Sequence, residues 1–400
     1  KERMVIMANN FRYYSPTEVI FGRDVEREAG KQLKKLGASR ILLVYGGNSV
    51  RCSGLLDKVR HSLKEENLFV SELYGIVPNP RLDKVYEGIR IGKKEEIDFL
   101  LALGGGSVID TAKAVAYGLA EPEHDVWELF QHTRIAKKCL PLGSILTIAA
   151  AGSETSKGCV ITNEKTGEKQ AYDDNLARPK FAIMNPEYTK SLPDYQTESG
   201  CVDIMMHTME RYFTNGGNLE ITDSIAEALL RTVMTNAVIL HDHPGNYDAR
   251  SEIMWAGSLA HNDLTGCGND GGDFMTHKLE HEMGGMFDVT HGAGLAAIWA
   301  SWARYVYKDC LPRFVRFARN VMGVTMAGTD EEIAEAGICA VEEFYHSIGM
   351  HTNMRELGIM PTDSQILDMA NRCTIACQGR TGSAKKLTWE DAVEIYKNAR

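Results

Sequence analysis

DFLLALGGGSVIDTAKAVAYGL, residues 98–119, decides the fold. Asp98 to Leu103 is an apolar run of strand length. Gly104-Gly105-Gly106-Ser107 follows at once, and Val108 to Leu119 reads as a helix. The same alternation extends upstream. Arg40 to Gly46 (RILLVYG) is a strand ending in glycines, and Leu55 to Glu65 is a helix with apolar Leu55, Leu56, Val59 and Leu63. Phe69 to Tyr74 is a further strand. Pro78-Asn79-Pro80 stops it and starts a helix to about Lys94. This βαβαβα order predicts a mostly parallel, doubly wound sheet. Phe11 to Gly22 adds strand material. Glu187 to Glu198 is polar, contains Pro193 and marks the expected boundary, giving domains 1–193 and 194–400. Beyond it helical patterns dominate: Gly200 to Phe213, Thr222 to Leu240, Ala249 to His261, Met275 to Met286, Leu295 to Tyr307, Asp330 to Gly349 and Thr388 to Ala399. The expectation is an α/β dinucleotide-binding domain followed by an all-α domain.

Four hundred residues suit about two domains. With 44% hydrophobic and 24% charged residues the chain has the balance of a globular enzyme. A formal charge of -10 argues against nucleic acid and anionic membranes as partners. No apolar run approaches the ~20 residues that span a bilayer, and Lys1 to Asn10 does not read as a signal peptide. The nine cysteines form no CxxC pair; Cys373 and Cys377 are four apart without a second pair. Buried reduced thiols and a cytoplasmic location are expected.

Gly104, Gly105, Gly106 and Ser107 lie where a strand ends and a helix begins. Glycine lets a phosphate approach the backbone, and the helix start offers free N–H donors and a positive dipole end. A plain turn capped by Ser107 would need fewer glycines. Gly46-Gly47-Asn48-Ser49 also ends a strand, so it reads either as a turn or as a second nucleotide contact. No acid stands there to hold a ribose 2′-hydroxyl, whereas Ser49 and a nearby cation would tolerate a 2′-phosphate. Gly266 to Gly271 formally matches GxGxxG, but no strand precedes it and it reads as a loop.

Asp203 and His207 are four apart, as are His277 and His281, so each pair can share a helix face. His291 follows closely. Carboxylate and imidazole are ligands of zinc or ferrous iron. If Asp203, His207, His277 and His291 hold the ion, a further position can take a substrate oxygen. His281 then sits one turn from a ligand, which suits a proton relay. His241-Asp242-His243 precedes Pro244-Gly245 and reads as a polar loop. His261 has no partner spacing and reads as structural or solvated.

GGGSVIDTAKAVA (Gly104 to Ala116), SGCVDIMMHTMERYF (Ser199 to Phe213) and HKLEHEMGGMFDVTHG (His277 to Gly292) stand in the order found in the iron-containing (group III) alcohol dehydrogenases, and the chain resembles that family from about Phe11 to its last residues. SPTEVIFG, YGG at Tyr45 to Gly47, Pro78 to Pro80 and GEKQAY at Gly167 to Tyr172 are similar to its butanol dehydrogenase and NADPH-dependent aldehyde reductase branch. The resemblance implies a dehydroquinate synthase-like fold with the active site in a cleft between its domains. It implies Asp203, His207, His277 and His291 as ligands of Fe²⁺ or Zn²⁺, and His281 near the nicotinamide. Gly104 to Ser107 would hold the pyrophosphate, with Asp110 and Lys113 completing the motif. Gly46, Gly47, Ser49 and Lys169 would surround the adenosine phosphate, favouring NADP(H) over NAD(H).

The implied reaction is hydride transfer between NADP(H) and a small or medium-chain primary alcohol or aldehyde such as butanol or butanal, by a homodimer. The alternative is a glycerol- or diol-type polyol dehydrogenase using NAD(H). Two departures stand out. Ala151-Gly152-Ser153-Glu154 replaces a TGSE-like element and lacks its first hydroxyl. The glycine-rich loop Gly266 to Asp273 is longer than expected. Phe274, Met205 and Met206 are candidates for an apolar substrate pocket, with core packing the leading role for each methionine.

Overall fold

In a computed structural model the run at residues 99–104 is a strand buried along its whole length. The structure describes residues 9–216, 219–376 and 382–400, so Cys377 lies outside the described residues. The chain divides into two compact units. One is Ser15–Leu192; in the other, residues 9–14 group with Pro193–Arg400.

The first unit carries eight strands: β1 (Glu18–Phe21), β2 (Arg40–Tyr45), β3 (Phe69–Leu73), β4 (Phe99–Gly104), β5 (Leu142–Leu146), β6 (Gly158–Asn163), β7 (Glu168–Asp173) and β8 (Phe181–Met184). Six form one sheet in the order β1-β8-β5-β4-β2-β3, parallel throughout. A strand buried on both faces needs a continuous apolar sequence, which is why FLLALG sits centrally. The helices joining these strands include α1 (Ala29–Lys35), α2 (Leu55–Glu65), α3 (Leu82–Lys94) and α4 (Gly106–Ala120). One core layer gathers Leu33, Val59 and Leu63 against Ile41, Leu43 and Leu101. The chain passes from β2 outward to β3 and returns to β4 on the other side, so the strand order reverses between β2 and β4. Their ends are in register, Tyr45 beside Leu103. Doubly wound sheets take ligands at such a point. β6 and β7 form a separate antiparallel hairpin, an element absent from the sequence reading.

The second unit is helical: α5 (Asp194–Tyr212), α6 (Glu220–Asp242), α7 (Tyr247–His261), α8 (Met275–Phe287), α9 (His291–Val306), α10 (Leu311–Asn320), α11 (Asp330–Ser347), α12 (Asp363–Ala376) and α13 (Trp389–Ala399). α10 and α12 are additional to the expected helices. α5 is buried from Thr197 to Tyr212, on every face, the mark of a central helix. Met205 and Met206 are fully buried core residues. Helix α9 reaches α5 because Gly292 has no side chain: a Cβ there would fall 1.9 Å from the Ser199 carbonyl oxygen. The expected loop at His241-Asp242-His243 is corrected. α6 continues through Asp242, and the His241 Nδ1 pairs with Glu198 at 2.6 Å. Among the described residues no helix is long and apolar enough to cross a membrane, and the eight described cysteines are free thiols.

Candidate metal centre and phosphate cradle

α5 brings Asp203 and His207 to one face, α8 brings His277, and the first residue of α9 is His291. Their heteroatoms converge on Asp203 Oδ1. His207 Nδ1 lies 3.3 Å from it, His277 Nε2 3.7 Å and His291 Nε2 3.8 Å. Asp203 Oδ1, His207 Nδ1 and His277 Nε2 are buried without a hydrogen-bond partner. Such orphaned atoms are costly unless something compensates them. A set of one carboxylate and imidazoles within 4.8 Å of one another fits a divalent ion. All four residues expected from the sequence are thus brought together.

Two groups unnoticed in the sequence complete the cluster. The Glu210 carboxylate meets His277 Nδ1, and its other oxygen accepts the His277 backbone N–H at 3.1 Å. The Glu280 carboxylate meets His291 Nδ1. A signal existed for both: Glu210 is three residues after His207, and Glu280 three after His277, so each shares a helix face with a ligand candidate. His261, expected to be structural or solvated, is structural. Its ring stands 4.0 Å from that of His207, and Arg211 donates to its Nδ1 at 3.2 Å. Spacing along one helix carries no information about this contact, because the two rings come from α5 and α7.

Electrostatics differ among the imidazoles. Burial, with His261, His277 and Arg211 nearby, holds His207 well below its ordinary value. Burial also opposes a charge on His277, but Glu210 and Asp203 outweigh it and push it up to about 10. His277 must shed the Nε2 proton to bind an ion, while the Nδ1 proton stays with Glu210. Asp273, pushed up to about 7 by burial and by Glu210, accepts backbone N–H groups of Met275, Ser383 and Ala384. His281 sits at the margin, partly exposed, its ring 6.3 Å from His277 and 5.6 Å from His291. Phe274 lies under the Arg211 guanidinium, 4.9 Å from the ring centre.

In the first unit the two glycine-rich ends meet where the strand order reverses. Val108 bridges them: a Cβ at Gly104 would fall 2.6 Å from its Cγ2, and one at Gly46 3.8 Å. A Cβ at Gly105 would fall 2.1 Å from Ile148 Cγ2. The glycines are therefore demanded by the protein's own packing as well as suited to a phosphate. Gly105 caps α4 in extended conformation, and Gly105, Gly106 and Ser107 are partly exposed. The helix opens with N–H donors facing that edge. Ala151 lies beside it, 3.1 Å from where a Gly106 Cβ would stand.

Asp110 and Lys113 point into the unit rather than forming the edge. Asp110 accepts from the Ser153 hydroxyl at 2.6 Å and the Val160 N–H at 2.9 Å. Lys113, fully buried, donates to the carbonyls of Ser153, Ser156 and Gly158. Together they fix the Ala151–Ser156 loop beside the cradle. Ser49 opens a single helical turn after β2. Lys169 lies on β7 opposite Thr162, whose N–H donates to the Pro80 carbonyl.

Comparison with known proteins adds an independent finding. The family model described as iron-containing alcohol dehydrogenase matches residues 16–186, and its C-terminal companion matches residues 197–400. The NADH-dependent butanol dehydrogenase A of Clostridium acetobutylicum is 38% identical over 98% of this chain and 99% of its own. The NADPH-dependent aldehyde reductase YqhD of Escherichia coli is 33% identical over 98% of this chain and 100% of its own. The crystal structure of NADH-dependent butanol dehydrogenase A from Thermotoga maritima superposes with a TM-score of 0.94 at 35% identity, covering 98% of this chain and 99% of that one.

Proposed function

The chain belongs to the iron-containing alcohol dehydrogenase family, and from that premise we propose that it reduces small and medium-chain aldehydes such as butanal, reversibly, with NADPH. The family assignment makes it a nicotinamide-dependent alcohol dehydrogenase or aldehyde reductase. In reduction RCHO, NADPH and one proton give RCH₂OH and NADP⁺. The observation that carries the proposal is the convergence of three orphaned buried atoms, on Asp203, His207 and His277. With His291 they are the proposed holders of one Fe²⁺ or Zn²⁺. Such an ion supplies Lewis-acid polarisation of the substrate oxygen, and the coenzyme supplies the hydride.

The chain's own groups do the rest. Asp203 contributes the one direct negative charge. His277 and His291 present Nε2 because their Nδ1 atoms are committed to carboxylates. His281 is the proposed proton carrier, giving an imidazole proton to the product oxygen. The cradle at Gly104 to Ser107 receives the pyrophosphate on free N–H groups. Asp110 acts by holding the adjoining loop.

The preference for NADP(H) rests on the end of β2. Glu72 on β3 is committed, since Arg60 holds both its oxygens and the Tyr45 hydroxyl donates to it. Arg51 is exposed, with its guanidinium carbon 5.7 Å from the Tyr45 ring and 5.6 Å from that of Tyr74. A cation beside Gly46, Gly47 and Ser49 favours a 2′-phosphate. Among the described residues β1 is an edge strand of the sheet, which supports a homodimer; sedimentation would test it.

The test strips the protein of metal, restores Fe²⁺ or Zn²⁺, and follows oxidation of NADPH and NADH with butanal. Metal-restored turnover preferring NADPH is expected. Turnover with NADH alone overturns the reading of Gly46 to Arg51. Metal binding without turnover on butanal redirects the substrate to glycerol or diols with NAD(H).

A further inference from the structure

We infer that Glu210 and Glu280 are positioning residues that make two of the three imidazoles stronger metal donors, leaving His207 as the weaker third. The inference rests on the metal assignment above. Both carboxylates are fully buried, a placement that is costly unless a partner compensates it. Each has the same partner type, the Nδ1 of a different imidazole. A carboxylate behind Nδ1–H fixes the tautomer, aims Nε2 inward and raises its basicity.

The fold makes room for this arrangement. Gly294, one turn into α9, faces Glu280: a Cβ there would fall 2.8 Å from Glu280 Cγ and 3.0 Å from Oε1. Glu210 is the last acid of α5 and reaches across to the first turn of α8, where it also accepts the His277 N–H.

His207 is supported in the opposite sense. Its side of the cluster holds the His261 ring and the Arg211 guanidinium, which donates to the His207 carbonyl at 2.8 Å. Negative charge therefore stands behind His277 and His291, whereas beside His207 stands the Arg211 cation, itself 3.6 Å from Asp263.

The test measures Zn²⁺ affinity by chelator competition for the unmutated chain, Glu210→Gln and Glu280→Gln. Glutamine keeps an accepting oxygen and removes the charge. Each variant should bind Zn²⁺ about 10–100-fold more weakly. A purely structural role would lower the melting temperature of the metal-free variants and leave affinity within twofold of the unmutated chain, which overturns the inference alone. Failure of the unmutated chain to bind Zn²⁺ overturns the metal assignment as well. If the variants do not fold, ¹⁵N-histidine NMR of the unmutated Zn²⁺ protein decides. Two imidazoles should carry the proton on Nδ1 with Nε2 bound; fewer than two overturns the inference.

Discussion

The glycine cradle and the histidine cluster meet charged guests by opposite means. At Gly104 to Ser107 side chains are missing, and the backbone of one strand–helix junction faces the guest. Around Asp203 side chains are crowded, with five ionisable residues of two helices (Asp203, His207, Glu210, His277 and Glu280) buried together. The difference teaches where each region is vulnerable. The cradle is limited by volume, because Ile148 and Val108 already occupy the space a Cβ would take. The cluster is limited by charge, because His207 and His277 are tuned by neighbours that solvent does not screen.

The largest expected effect lies in the cluster. His277→Ala should lose bound metal by elemental analysis and reduce kcat/KM by more than the ~10–100-fold typical of changes behind a ligand. His281→Ala should retain the metal and lose roughly 10²–10⁴-fold in turnover. Equal metal loss in both would remove His281 from the proton-carrying role.

Volume is the corresponding probe of the cradle. Gly105→Ala should cost about 1–3 kcal/mol in denaturant unfolding, because its Cβ would lie 2.1 Å from Ile148 Cγ2. Ile148→Ala in the same chain should return part of that loss. No recovery would mean that backbone shape, not side-chain volume, limits the site.

A smaller change restores the missing hydroxyl beside the cradle. Ala151→Thr should lower KM for the coenzyme by roughly 2–10-fold, corresponding to one hydrogen bond of ~0.5–1.5 kcal/mol. An unchanged KM would show that Ala151 lies out of reach of the coenzyme.

The smallest effect separates charge from volume through pH. Glu198, by its hydrogen bond, raises His241 above the ordinary value of 6.5. A raised folded value stabilises fully below the unfolded value, and that contribution fades as pH rises through the folded one. His241→Asn should therefore lower the melting temperature more near about pH 5.5 than near about pH 9. The Gly105→Ala cost should be the same at both.

Much of the fold was legible because its signals are local. The run at residues 98–103 reads as a buried strand, and glycines after it mark the edge, from neighbours alone. Asp203 with His207, and His277 with His281, are one helical turn apart, so their shared faces follow from 3.6 residues per turn. Glu210 and Glu280 lay within reach of the same rule and were missed, because an acid on a helix is ordinarily solvated. His261 was beyond it, since α7 meets α5 only through packing.

By itself the sequence determined the alternating first half, the helical second half, the family and the identity of the clustered residues. Only the tertiary structure decided which carboxylate backs which imidazole, that His261 packs against His207, and that Asp110 and Lys113 brace a loop. The physical reason is range. Strand burial, helix phase and glycine turns are set by residues a few positions apart. Burial of a charge, and the partner that compensates it, depend on side chains as far apart as the 67 positions between Glu210 and His277.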